Sequence, residues 1–174
     1  RVVQLMRDVF QCTGPLEYQR PDLAEQELAG LVNGANESGA SYRDLFMSAA
    51  SPGIIALTLG NAYYAGHEEY VMALAEEMRK EYELIAAAGV VLQLDCPDLA
   101  MERHVAYQDE PIEVFQEVVE LHINAINFRM SSINVIKSFE HFQRSCFAGA
   151  IGTENAKYLA RFDEQGDAIN GAKG

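Results

Sequence analysis

The sequence predicts an α/β fold of parallel strands joined by helical crossovers, read as part of a (β/α)8 TIM-type barrel with about three to four βα units. Three observations predict it. Short apolar runs alternate with amphipathic helical patterns, and two such runs start 36 positions apart, at Ile54 and Val90. That spacing is close to the roughly 30 residues of one barrel unit. The chain has 174 residues, enough for one core but short of the about 250 that close such a barrel. A complete doubly wound sheet fits the length better, although Cys12-Thr13-Gly14-Pro15 after the first strand is not the G-x-G-x-x-G turn of its nucleotide-binding version.

Taken in order, a short strand is expected near Val9 to Cys12, and Pro21-Asp22 opens an amphipathic helix carrying Leu23, Leu28, Leu31 and Val32. After Ser51-Pro52-Gly53, a turn signal, the run Ile54 to Leu59 reads as a strand. The clearest helix covers about 68–87: Tyr70, Val71, Leu74, Met78, Tyr82 and Ile85 recur at three- and four-residue steps, with Glu69, Glu76, Glu77, Arg79, Lys80 and Glu83 opposite. Gly89 stops it. Val90 to Leu94 is nearly all apolar and reads as a strand covered on both faces, ending at Asp95-Cys96-Pro97-Asp98. A last helix opens at Pro111 and aligns Phe115, Val118, Val119, His122, Ile123 and Ile126.

Composition restricts the function classes. Lys+Arg 13 against Asp+Glu 26 gives a net charge of −13. No basic stripe interrupts the acidity, so nucleic acid is not expected as a partner. No apolar run reaches the roughly 20 residues of a membrane span, and the first residues lack a signal-peptide core. Cys12, Cys96 and Cys146 are odd in number and widely spaced, which disfavours a disulfide framework or a self-contained zinc site and fits a reducing, cytoplasmic setting. Up to Phe128 the chain carries 7 basic and 21 acidic residues; from Arg129 it carries 6 and 5. We therefore divide it into 1–128, the α/β segment, and 129–174, an atypical C-terminal segment without strand-helix rhythm.

In parallel α/β proteins, reacting groups gather where strands end. Asp95 stands there. A carboxylate at the end of a buried strand needs a cation or several donors, so it holds a ligand ammonium, coordinates a metal or takes a proton; the bland alternative is an Asx turn before Pro97. Asp98 reads as the cap of the turn Leu99-Ala100-Met101. Ser51 reads as part of a plain turn, and it and Asp98 stay with Asp95 among the candidate substrate-binding residues. Tyr63 and Tyr64 either stack on a flat ligand or pack as a lid. His122-Ile123-Asn124 lies on a helix, where residues two apart diverge, so His122 reads as a partly buried core histidine. His141 and Cys146 have no partner at metal-ligand spacing. No nucleophile elbow, P-loop or triad signature occurs.

Cys12-Thr13-Gly14-Pro15, Phe46-Met47-Ser48-Ala49-Ala50-Ser51-Pro52-Gly53, Asn61-Ala62-Tyr63-Tyr64, Leu92 to Met101 and Val119 to Asn127 together resemble the cobalamin-independent methionine synthase family, in its shorter catalytic-domain-like members. The likeness covers about Val9 to Phe128. It implies a TIM-type barrel in which zinc holds a thiol such as homocysteine as the thiolate, which takes the methyl group of a methyltetrahydrofolate. By the same resemblance Asp95 would hold the substrate's amino group and Gln93 would support that site. Cys96 stands where the family has Glu or Asp, which removes one carboxylate. The family's His-x-Cys zinc pair belongs on the strand after the helix at 111–130, and nothing after Phe128 matches it.

The tail at 129–174 reads as an extension or a frameshifted end, since codons for Cys146 to Gly152 read two bases later can encode Cys-Trp-Gly-Asn-Trp, similar to the family's stretch after its metal histidine. The alternatives are a noncatalytic small-molecule-binding barrel fragment and a related coenzyme M transferase or decarboxylase. Uncovered barrel edges would favour self-association.

Overall fold

The computed structural model describes residues 10–130, with backbone alone over 128–130. Apart from the helix end at 129 and 130, the C-terminal segment lies outside the described residues, as do His141 and Cys146. The elements are β1 (Gln11–Cys12), α1 (Pro21–Glu37), β2 (Phe46–Ala50), α2 (Pro52–Thr58), β3 (Gly60–Asn61), α3 (His67–Ala87), β4 (Val91–Asp95), α4 (Asp98–Val105) and α5 (Ile112–Met130). Both strand pairings are parallel. β1 pairs with β3, and β2 pairs with β4 in a register that sets Phe46 beside Val91 and Ala50 beside Asp95. The described residues thus form two two-stranded sheets with helical crossovers, and no closed barrel is present among them.

One strand assignment is corrected. Ile54 to Leu59 does not form a strand; residues 52–58 are the helix α2, and the strand is Phe46–Ala50. Ser51 has an extended backbone, and its Oγ accepts a hydrogen bond from the Ile54 amide at 3.1 Å, with Pro52 at the first helical position. A serine cap followed by proline starts a helix whatever the short apolar run behind it suggests. Ser51 consequently lies just past the carboxyl end of β2.

The long helix forms as its periodicity predicts. Tyr70, Val71, Leu74, Tyr82 and Ile85 are buried on one side of α3, while Arg79 bridges Glu76 and Glu83 and Lys80 meets Glu77 on the other. Gly89 ends it with φ +71°, and its amide returns to the Ala86 carbonyl at 3.0 Å. A side chain there would carry the cost of the left-handed backbone. α3 packs against α1, α2, α5 and the β2–β4 pair, so its apolar stripe is the centre of the core.

β4 also differs from expectation. Leu92 and Leu94 are buried, whereas Val91, Gln93 and Asp95 are exposed, so only one face is covered. On the bare face Phe46 and Val91 lie side by side at 60% and 42% exposure, followed by Ser48, Gln93 and Asp95 toward the carboxyl end. Apolar residues on a wet sheet face are the layer that a neighbouring element would cover.

Candidate functional site

The carboxyl ends of β2 and β4 create the site. The ladder continues one step past the strands, where the Ser51 amide donates to the Asp95 carbonyl at 3.0 Å. That bond places the Ser51 side chain over the start of α4. Its Oγ donates to Asp98 Oδ1 at 2.7 Å, while Asp98 Oδ2 accepts from His122 Nδ1 at 2.8 Å. The Nε2 atom of His122 faces the Nε2 of His67, the first residue of α3, at 3.0 Å. Serine, aspartate and two histidines from four separate segments therefore form one hydrogen-bonded chain.

Burial gives the chain its electrostatic character. Ser51, Asp98, Glu102 and His122 are each no more than 1% exposed. A carboxylate so placed is tolerable only when its oxygens are satisfied, and Asp98 has a donor on each. Glu102, one turn further along α4, brings Oε2 to 3.9 Å from His122 Nδ1, so two acidic side chains of one helix face the same imidazole. With Asp98 accepting at Nδ1, the ring of His122 carries its proton there and presents Nε2 to His67.

Gly53 is the positional requirement of this arrangement. A Cβ at that residue would stand 2.6 Å from Asp98 Cγ and would collide with Asp98 Oδ2 and His122 Nδ1. The first turn of α2 can approach the pair only because residue 53 has no side chain. Tyr82 secures the neighbouring strand end by donating from its hydroxyl to the Ala50 carbonyl at 2.6 Å. Burial pushes its phenol well above the ordinary value near 10, and the negative surroundings of Cys96, Glu81 and Asp98 push it the same way.

The sequence-derived candidates separate into three places. Ser51 and Asp98 meet in the buried chain. Asp98 is not the cap of its helix: Pro97 occupies the cap position and makes no side-chain cap bond, and the carboxylate is spent on Ser51 and His122. Asp95 and Gln93 lie on the bare sheet face, pointing away from Leu92 and Leu94. Tyr63 and Tyr64 sit in the loop after β3, edge to face at 5.0 Å. Tyr64 stacks on Tyr70 at 5.7 Å and accepts from the Leu16 amide at 2.9 Å, which makes it a packing residue, while Tyr63 is 52% exposed.

His122 is fully buried rather than partly so. Reading along the sequence misses the parts that His67, Glu102 and Gly53 play. Glu102 follows Asp98 at the four-residue step of a helix face, which is a readable signal; nothing in the sequence marks His67.

Among the described residues no three His, Cys, Asp or Glu side chains converge to hold the zinc that the family resemblance implies. Its expected His-x-Cys pair belongs after α5, outside the described residues. Among the described residues no helix is long and apolar enough to cross a membrane. No protein-family model, no curated protein and no solved structure matches the chain.

Proposed function

We propose that this chain is a segment of a (β/α) barrel of the methionine-synthase type, in which Asp95 grips the ammonium of a thiol amino acid such as homocysteine while a methyltetrahydrofolate supplies the methyl group. The observation that carries the proposal is the position of Asp95. It is the last residue of β4, exposed on the bare face, aligned with Gln93 and in register with the end of β2. Parallel strands with helical crossovers and an apolar layer of Phe46 and Val91 beneath the acidic end match what the inside of such a barrel presents to a substrate at its carboxyl rim. The odd number and wide spacing of Cys12, Cys96 and Cys146 suit a reducing cytoplasmic setting. The same bare face would also let copies of the chain associate, against the repulsion of a −13 charge.

Calorimetry with homocysteine tests the reading, with methyl transfer assayed in parallel. Wild-type chain should bind homocysteine, and Asp95→Asn should weaken it by about 10–100-fold, the worth of a hydrogen bond to a charged group at about 1.5–3 kcal/mol. Equal affinity in the variant would remove Asp95 from the site. Binding without turnover supports the second reading, a noncatalytic binding segment; a preference for coenzyme M over homocysteine would reassign the thiol.

A further inference from the structure

The first turn of α3 begins at a residue that cannot cap it. Gly66 offers no side chain, and the turn closes through the Tyr70 amide, which donates to the Gly66 carbonyl at 3.2 Å. The next residue, His67, crosses to another helix: its Nε2 meets Nε2 of His122 at 3.0 Å, with the rings 5.2 Å apart and tilted by 45°. At that distance one nitrogen donates and the other accepts, so the gap holds a single proton. We propose that the His67–His122 pair is a proton-operated latch on the start of α3, closed while one proton lies between the rings and opened when a second arrives. The latch is separate from Asp95 and independent of what Asp95 binds.

The groups around the pair determine where each proton goes. Among the described residues α4 turns Asp98 and Glu102 toward His122, at 2.8 and 3.9 Å from its Nδ1. On α3, Glu68 and Glu69 follow His67 in the first turn, and Tyr82 lies within electrostatic reach of Asp98. The α2 segment Pro52–Thr58 brings no ionisable side chain. Because His122 Nδ1 donates to Asp98, Nε2 is the one ring nitrogen on which His122 can take up another proton. A first added proton enters at the outer nitrogen of half-buried His67, and the cationic ring still donates through Nε2, so the gap stays bonded. A second proton, taken from solvent, binds Nε2 of His122 and sets two N–H groups and two cations against each other. The bond between the rings then breaks. His122 keeps Asp98 as its partner, while His67 turns to water, at a helix N-terminus where the dipole already opposes its charge. The turn closed by Tyr70 and Gly66 loses its tether to α5.

The histidine rings of the full chain are followed by 15N NMR from about pH 8 to about pH 5, the range in which imidazoles change charge, and hydrogen exchange of the Tyr70 amide is read at each pH and corrected for the intrinsic rate. The expected result at the upper pH is a nitrogen–nitrogen scalar coupling between the two Nε2 atoms, which a direct N–H···N hydrogen bond transmits. On acidification the coupling should vanish as both Nε2 atoms become protonated, and the Tyr70 amide should lose about 3–10-fold in protection, the worth of one hydrogen bond. His67→Gln places an amide donor opposite His122 but takes up no proton, so its Tyr70 protection should hold across the range. His104→Ala, which removes an exposed histidine elsewhere on α4, should behave as wild type. No coupling at the upper pH, a coupling that survives acidification, or the same acid loss of protection in His67→Gln would overturn the proposal without touching the reading of Asp95.

Discussion

Replacing Gly53 with alanine distinguishes local propensity from tertiary packing by the sign of its effect. Alanine is the better helix former by about 0.5–1 kcal/mol, so a reading confined to α2 expects a small gain in stability. The structure requires the opposite. The added Cβ would lie 2.6 Å from Asp98 Cγ and run into Asp98 Oδ2 and His122 Nδ1, none of which is the loose end of an exposed side chain. Overpacking costs about 1–3 kcal/mol, and displacing one buried hydrogen bond to a charged group costs about 1.5–3 kcal/mol more. Less the propensity gain, the net loss is about 2–5 kcal/mol.

Urea denaturation of wild type, Gly53→Ala and Gly30→Ala measures it. Gly30 lies in α1, and a Cβ added there would meet nothing within 4 Å, so Gly30→Ala should gain the roughly 0.5–1 kcal/mol that Gly53→Ala forfeits. If Gly53→Ala matched or exceeded wild type, the close contact between α2 and the Asp98–His122 pair would be refuted, and the chain of hydrogen bonds built on it would go too.

Ser51→Ala should cost about 2–5 kcal/mol in the same assay, the sum of a lost helix cap and a lost hydrogen bond to a buried carboxylate. A loss under about 0.5 kcal/mol, the range of ordinary surface substitutions, would contradict both roles. Tyr82→Phe should cost about 1 kcal/mol at neutral pH, because the Ala50 carbonyl loses its donor. Tyr82 also makes the stability pH-dependent at the alkaline end. Its folded value is raised above the unfolded value near 10; its contribution is therefore complete below pH 10 and is lost as pH rises toward the folded value. Above pH 10 the slope is up to about 1.4 kcal/mol per pH unit. Tyr82→Phe should flatten that alkaline decline relative to wild type, and parallel curves would show that the phenol is not the group responsible.

Much of the fold is legible in local pattern. The stripe from Tyr70 to Ile85 specifies α3 because a three- and four-residue repeat of apolar side chains has one stable use in water, burial of a single helix face. Pro21 and Pro111 mark helix starts, and Gly89 marks a helix end, through backbone geometry that depends on no distant contact. The run Ile54 to Leu59 misleads because five apolar residues in six suit a short strand and a buried helix equally; the cap at Ser51 decides, and it acts locally. The wet face of β4 is not legible, since apolar alternation cannot report whether a neighbouring strand or helix is there to cover Val91.

The candidate site divides along the same line. Asp95 is marked by the sequence itself, through its place at the end of an apolar run ahead of Pro97. Composition supplies the acidic character, and apolar periodicity supplies the helix that carries His122, whereas nothing local marks His67. Only tertiary structure brings Ser51, His67, Asp98 and His122 together, across separations of 24 to 55 residues. Hydrogen bonding between side chains acts over about 3 Å of space and leaves no periodic trace along the sequence. Helix-forming patterns do leave one, because they are repeated every turn.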